Sequence, residues 1–175
     1  MSVPQEPKNA KLVVGFFMKD KKLLKPFAEK LYQALGPMDM VSAWIPFDFT
    51  SYYETEMGAP LFRRLLTFEK LVLQDQLAHV KLYTNKLEMQ YMENGKRQIN
   101  ADPGILSHER FVLATGKNFT HRIYLKNGIF ADLTLIFTQG RFQELPWTYP
   151  DYKDKNILSF LEKVRSKYLI DLKRN

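Results

Sequence analysis

The pair Asn127-Gly128, set between two segments of strand-forming residues, is the feature that most constrains the fold of this chain. Asn-Gly favours the two-residue turn of a β-hairpin, because both central residues of that turn adopt positive φ. Residues 121–125 and 129–137 are therefore predicted to pair as antiparallel strands, and a further turn leads into a strand at residues 141–145. The second half of the chain is thus predicted to contain a three-stranded antiparallel meander.

The first half of the chain is predicted to alternate strands with helices. Residues 11–18 form a nearly unbroken apolar run, which is typical of a buried central strand. A helix is predicted over residues 23–35, where apolar side chains recur at helical spacing. Strands are predicted at residues 40–49, where Pro46 indicates a sheet edge or a bulge, and at residues 62–72.

Residues 74–92 allow two interpretations. Apolar residues at helical spacing fit one face of a single long helix. Alternatively, residues 79–83 form a strand, and Thr84 or Asn85 caps a shorter helix, with Glu88 completing a capping box with Asn85. The sequence favours the second interpretation, a strand followed by a helix.

The segments after residue 92 continue this mixed pattern. A short strand at residues 97–101 is followed by Asp102-Pro103-Gly104, a tripeptide typical of turns, and a short helix is predicted at residues 108–115. The C-terminal helix is predicted to begin after Asp154 as its N-cap. Its buried face consists of Ile157, Leu161, Val164, Tyr168 and Leu172.

These elements predict an α+β protein. Their order begins β-α-β-β-α-β, which resembles a ferredoxin-like arrangement, and ends in the meander and a helix. A mostly antiparallel sheet with helices packed on one face is the packing expected for that order. The length of 175 residues suits a single domain over residues 1–175.

Composition removes several function classes. The chain has no cysteine and three histidines, so Fe–S clusters, thiolate zinc sites, haem and cysteine nucleophiles are not expected. Glycine-rich phosphate loops, nucleophile elbows and zinc-protease motifs are also missing from the sequence. The familiar nucleotide-binding and hydrolase motifs are therefore absent.

The net charge of +7 is concentrated in residues 8–30 and 153–174. Solvated outer faces of two lysine-rich helices explain this pattern better than a nucleic-acid surface, which needs one continuous basic face. Residues 1–9 do not resemble a signal peptide, and the longest apolar run falls well short of the roughly 20 residues of a spanning helix. A cytoplasmic protein without membrane contact is expected.

Candidate site residues fall at predicted turns and strand ends, where function often concentrates. Asp102 and Glu88 are candidate acid–base groups or ligands of a divalent cation, and His121 is a further candidate acid–base group. Lys117, His121 and Arg122 are candidate anion-binding donors. For any one of them, a turn, a helix cap or a structural ion pair is the more common explanation. The predicted pocket wall comprises Tyr52, Tyr53, Glu56, Trp147, Tyr149 and Asp151.

Several strings in this sequence resemble an uncharacterised prokaryotic family, the domain of unknown function numbered 4416. The strings include Thr50-Ser51-Tyr52-Tyr53-Glu54, Asn100-Ala101-Asp102-Pro103-Gly104, His121-Arg122-Ile123-Tyr124-Leu125 and Trp147-Thr148-Tyr149-Pro150-Asp151-Tyr152. The resemblance covers nearly the whole chain in the same order. The label "GTP-binding", which some members carry, finds no phosphate loop here.

The residues favour a protein that binds a small anionic or nucleotide-like ligand, either as an enzyme or without catalysis. Mg²⁺ is the cofactor that carboxylates without thiols would suit. The alternatives are an RNA-binding module and a non-catalytic interaction protein. Reaction type, ligand identity and oligomeric state stay open at this point.

Overall fold

The computed structural model describes residues 1–174. The strands are β1 (Lys11–Met18), β2 (Met38–Val41), β3 (Ile45–Pro46), β4 (Phe62–Phe68), β5 (Met92–Glu93), β6 (Lys96–Arg97), β7 (Ile99–Leu106), β8 (Arg110–Thr115), β9 (Arg122–Lys126), β10 (Ile129–Thr138) and β11 (Arg141–Glu144). The helices are α1 (Leu24–Leu35), α2 (Glu54–Met57), α3 (Leu77–Gln90) and α4 (Lys155–Asp171), with 3₁₀ turns at Lys21–Leu23, Gln74–Gln76 and Pro150–Lys153.

Nine strands form one antiparallel sheet in the order β11-β10-β8-β7-β1-β4-β2, with β3 paired to β4 and β9 paired to β10. The predicted α+β class with a mostly antiparallel sheet is confirmed. Helix α1 connects β1 to β2 with β4 between them, and α3 connects β4 to β7 with β1 between them. The β7-β1-β4-β2 part of the sheet therefore has the split arrangement of a ferredoxin-like unit.

Helices cover both faces of the sheet, so the prediction of helices on one face was wrong. All eight residues of β1 are buried. Val13 packs with Leu161 of α4, whereas Val14 packs on the other face with Phe27 of α1 and Val80 of α3. A strand that is apolar on both faces must be packed against other elements on both faces. The nearly unbroken apolar pattern of residues 11–18 therefore already indicated helices on both sides of the sheet.

The long β-hairpin at Asn127-Gly128 forms as predicted. Asn127 has φ of 53° and Gly128 has φ of 75°, which is the backbone that a tight primed turn requires. The arrangement around it differs from a simple meander, because β9 and β11 pair with successive halves of the same edge of β10. The other edge of β10 pairs with β8.

Three local predictions were wrong because tertiary pairing outweighed local signals. Residues 77–90 form one helix, since Leu77, Val80 and Leu87 pack on the sheet along its length. The segment predicted as a helix at 108–115 contains strand β8, which forms a hairpin with β7. The segment predicted as one strand at 40–49 is divided into β2 and β3.

Asp102-Pro103-Gly104 was predicted as a turn and instead lies inside β7. The N–H of Ala101 points away from β1, toward the side chain of Glu88. Pro103, two residues further on, faces the same side, so its missing N–H costs no hydrogen bond with β1. The proline is therefore compatible with a strand that is paired on one side only at this point.

The C-terminal helix begins as predicted. Oδ1 of Asp154 accepts a hydrogen bond from the backbone N–H of Asn156 at 2.8 Å, and Ile157, Leu161 and Val164 are fully buried. No helix within residues 1–174 is long and apolar enough to cross a membrane.

Candidate functional site

A cavity of about 550 Å³ lies on the α4 face of the sheet, beside the area that α4 covers. Its floor is built from three neighbouring strands. Phe17 of β1 is paired across the sheet with Arg63 of β4 and with Asn100 of β7, and Asp102 is paired with Gly15. Side chains of paired residues point to the same face, so the register brings these groups together.

Two aromatic segments form the walls of the cavity. The segment before α2 contributes Phe47, Phe49, Tyr52 and Tyr53 on one side. The segment before α4 contributes Tyr149 to Tyr152 on the other side. Burial raises the pKa of the Tyr149 hydroxyl to about 12, and the nearby Asp132 carboxylate acts in the same direction, so this hydroxyl remains a proton donor at neutral pH.

Helix α3 reaches the cavity from the opposite face through a gap between β7 and β8. Strand β8 pairs only with residues 104–106 of β7, which leaves the edge of Ala101 without a neighbouring strand. Nζ of Lys81 donates to the Ala101 carbonyl at 2.7 Å, and the Ala101 N–H donates to Oε1 of Glu88 at 2.9 Å. These two side chains replace the missing strand, and with Asn85 they line the cavity.

Asp102 is the carboxylate at the centre of the floor. Nδ2 of Asn100 donates to its Oδ2 at 2.7 Å, and Nζ of Lys81 lies 3.4 Å from its Oδ1. Its side chain retains 29% exposure. The carboxylate is therefore oriented by two donors and still accessible from the cavity.

Glu88 lies beside this group and is buried. Burial raises the pKa of its carboxyl group, while the charge of Lys81 and the hydrogen bond from Ala101 oppose that shift. Nη1 of Arg97 also donates to its Oε2 at 3.2 Å. Glu88 therefore stabilises the gap between β7 and β8, through its hydrogen bond with Ala101, and also lines the cavity.

Arg63 is buried in the floor. Its Nη1 donates to Oδ2 of Asp151, and its Nη2 donates to the hydroxyl of Tyr152 at 2.8 Å. Burial raises the pKa of the Asp151 carboxyl group, and the charge of Arg63 opposes that shift. Gly15 lies against this group, and a Cβ atom at this position would lie 2.9 Å from the Tyr152 hydroxyl.

Arg97 ties helix α2 to the floor. Its Nε and Nη2 each donate to Glu56 at 2.7 Å, and its Nη1 donates to Oδ1 of Asn100 at 2.8 Å. The hydrogen bonds from Arg97 lower the pKa of the Glu56 carboxyl group. Glu56, predicted as a wall residue, therefore stands behind Arg97 rather than in the lining.

Arg122 and Lys117 lie on the β8–β9 side of the cavity. The Arg122 guanidinium donates through Nε to Oδ2 of buried Asp132 at 2.9 Å and through Nη1 to the Lys117 carbonyl at 2.8 Å. It also donates through Nη2 to the hydroxyl of Tyr149. Nζ of Lys117 lies 3.5 Å from the Tyr52 hydroxyl, and within residues 1–174 no carboxylate oxygen lies within 4.0 Å of it.

Eight of the side chains predicted as site residues line this one cavity. They are Tyr52, Tyr53, Glu88, Asp102, Lys117, Arg122, Tyr149 and Asp151. His121 and Trp147 lie outside the lining, with their rings stacked at 4.8 Å. Nε2 of His121 lies 3.1 Å from Oδ2 of Asp132, so His121 supports the carboxylate that holds Arg122. A ligand-binding role for the converging residues stays a prediction.

Three charged residues of the cavity escaped the sequence analysis: Arg63, Lys81 and Arg97. Arg63 carried a signal, because it shares one face of the predicted strand with the apolar residue Leu65, and both side chains are buried. Lys81 and Glu88 are seven residues apart and lie on one face of a helix, but the preference for a strand at 79–83 hid this spacing.

Magnesium stays a prediction. Among the residues that the structure describes, no group of three or more histidine, aspartate or glutamate side chains could hold a metal ion. The ammonium group of Lys81 lies between Glu88 and Asp102, at 3.9 Å and 3.4 Å from their oxygens. These two carboxylates therefore already share a cation.

Comparison with known proteins gives one match. The sequence model of a family described as a domain of unknown function (DUF4416) matches residues 8–168. No curated protein and no solved structure matches the chain. The match covers β1 to β11 and most of α4, so it includes every element that builds the cavity.

Proposed function

Because the chain belongs to the DUF4416 family, whose description names no activity, we propose from the cavity that it binds a small anionic or nucleotide-like ligand. The observation that carries the proposal is the ammonium group of Lys117 in the lining. Its nearest polar contact is the Tyr52 hydroxyl at 3.5 Å. Lys117 is exposed, and a cavity-lining lysine with no carboxylate oxygen of residues 1–174 within 4.0 Å of its ammonium group is suited to an anionic group of a ligand.

The size and walls of the cavity support a ligand of metabolite or mononucleotide size. About 550 Å³ falls within the range of small-molecule sites, which are mostly apolar with a few placed polar groups. Tyr52, Tyr53 and Tyr149 offer ring faces or edges to a planar group of the ligand. Asp102 is the acid–base group that a reaction in this cavity would use, since it is oriented and accessible.

The architecture supports the cavity over the RNA alternative. Single-strand recognition by a four-stranded sheet needs an open face with exposed aromatic side chains. In the β7-β1-β4-β2 unit, the face that would serve is occupied by α4 through Leu161 and Val164, and by the walls of the cavity. An RNA partner would have to use other surfaces.

The test is a thermal-shift and calorimetric screen with inorganic phosphate, ribose 5-phosphate and mononucleotides. A compound at about a hundred times its Kd should stabilise the protein by about 2.7 kcal/mol. Lys117→Ala should remove most of this stabilisation. Lys70→Ala, at an exposed position outside the cavity, should retain it. The proposal fails if no compound of the panel binds, or if Lys117→Ala binds as tightly as the wild type.

A further inference from the structure

The charges around the cavity are unevenly distributed. Each of three arginines is matched by its own carboxylate. The pairs are Arg63 with Asp151, Arg97 with Glu56, and Arg122 with Asp132. These pairs are internally neutral, so the charge offered to a ligand comes from the groups outside them.

At the floor, the remaining groups carry an excess of negative charge. Lys81 is shared between two carboxylates, with Asp102 at 3.4 Å and Glu88 at 3.9 Å. Both oxygens of Glu88 are engaged, one by the Ala101 N–H and the other by Arg97. Asp102 is the more exposed of the two, so the unmatched negative charge faces the cavity at Asp102.

Asp102 also has unused capacity to accept hydrogen bonds. A carboxylate offers about four lone-pair positions, and Asp102 accepts one donor on each oxygen, from Lys81 and from Asn100. At the β8–β9 side, Lys117 carries the unmatched positive charge. The cavity therefore has a negative group on its floor and a positive group on its rim.

We propose that the ligand is dipolar, with an anionic group bound by Lys117 and an ammonium or amidinium group bound by Asp102. This inference rests on the proposed function, because it specifies the second end of the same ligand. A cationic donor group would cancel the unmatched charge of Asp102 and fill its remaining acceptor positions, which a simple anion cannot do. A purely anionic ligand would instead place its charge near a carboxylate that has to share Lys81 with Glu88.

Two matched series of probes test the proposal by isothermal titration calorimetry at neutral pH. One consists of ω-aminoalkyl phosphates of increasing chain length, and the other of alkyl phosphates of the same lengths. At the length that spans Lys117 and Asp102, the amino compound should bind about tenfold more tightly or better, because an ion-paired hydrogen bond is added. Asp102→Asn should bring the two affinities together, and Asp75→Asn, at an exposed position outside the cavity, should preserve the difference.

The two series of probes separate the two proposals in the wild-type protein, and Asp102→Asn then tests the role of Asp102. Equal affinities of the two series at every length would overturn the dipolar ligand and leave the anion site of the proposed function standing. Binding of neither series would overturn the dipolar ligand, and the proposed function would then be decided by its own panel of phosphate, ribose 5-phosphate and mononucleotides. An amino-group preference that persists in Asp102→Asn, with the variant shown to be folded by its thermal unfolding, would place the cationic end elsewhere and overturn the role of Asp102.

Discussion

At the scale of single residues, Gly15 shows how closely the floor of the cavity is packed. A Cβ atom at this position would lie 2.9 Å from the Tyr152 hydroxyl and 3.0 Å from Nη2 of Arg63. These two groups are hydrogen-bonded to each other, and Arg63 is also held by Asp151, so they have little freedom to move aside. Gly15 is therefore the residue that leaves space for this buried ion pair.

We expect Gly15→Ala to lower the free energy of unfolding by about 1–3 kcal/mol, the usual cost of overpacking a filled core. Urea denaturation followed by circular dichroism measures the change. Gly116→Ala is the matched control, because a Cβ atom there meets no other atom within 4 Å and the φ of Gly116 is not positive. Equal stability of Gly15→Ala and the wild type would show that the floor can rearrange.

The same scale shows which site residues a sequence can reveal. Tyr52, Lys117 and Arg122 were predicted because they lie in segments between regular elements or at the start of a strand. Arg63 and Lys81 were missed because their position in the cavity depends on burial, which the register of β4 and the gap beside β7 create. Charged side chains inside an otherwise apolar strand or helix face are the signal that would have found them.

At the scale of elements, the gap between β7 and β8 is the feature on which the cavity depends. Lys81 and Glu88 of α3 satisfy the carbonyl and the N–H of Ala101, the groups that a neighbouring strand would otherwise bind. A strand edge satisfied by side chains can stay open to a cavity, whereas one paired with β8 would close it. Helix α3 therefore stabilises the gap between β7 and β8.

Glu88→Ala should therefore destabilise the fold by about 1–3 kcal/mol, because it leaves the buried N–H of Ala101 without an acceptor. It should also speed hydrogen exchange at the Ala101 amide, which NMR or mass spectrometry resolves. Lys86→Ala on the same helix is the control, since that side chain is exposed. Unchanged exchange at Ala101 would mean that another group satisfies the amide.

Local signals decided some elements and not others. Asn127-Gly128 specifies its own turn, so the hairpin of β9 and β10 was predictable. The identities of α3 and β8 are set by what they pack against, since residues 110–115 become a strand only through pairing with β7 and β10. Helices pack on the second face of the sheet because all residues of β1 are buried, and side chains on both faces of this strand must be shielded from water.

At the scale of the whole molecule, a buried ion network joins the two terminal regions to the edge of the sheet. Nζ of Lys11, at the start of β1, donates to Asp39 of β2 and, at 2.8 Å, to Asp171 at the end of α4. Lys167 contacts the same two carboxylates, at 3.1 Å from Asp39 and 2.8 Å from Asp171. The network therefore holds α4 against the face on which the cavity lies.

The network predicts a loss of stability in acid. Burial acts to raise the pKa of Asp39, but hydrogen bonds from Lys11, Thr67 and Lys167 outweigh burial and lower this pKa. The pKa of Asp171 is lowered by the hydrogen bonds from Lys11 and Lys167, which likewise outweigh burial. A carboxyl group whose pKa is lower in the folded state binds fewer protons there than in the unfolded chain, so stability falls as protons become available. The contribution of these carboxylates to stability should be complete above about pH 4, the ordinary pKa of an aspartate, and should be lost as the pH falls through the lowered folded-state pKa.

Urea unfolding of the wild type and of Asp39→Asn between neutral pH and acid measures this contribution. The two curves should be furthest apart near neutral pH and approach each other in acid, and a constant separation between them would contradict the lowered pKa of Asp39.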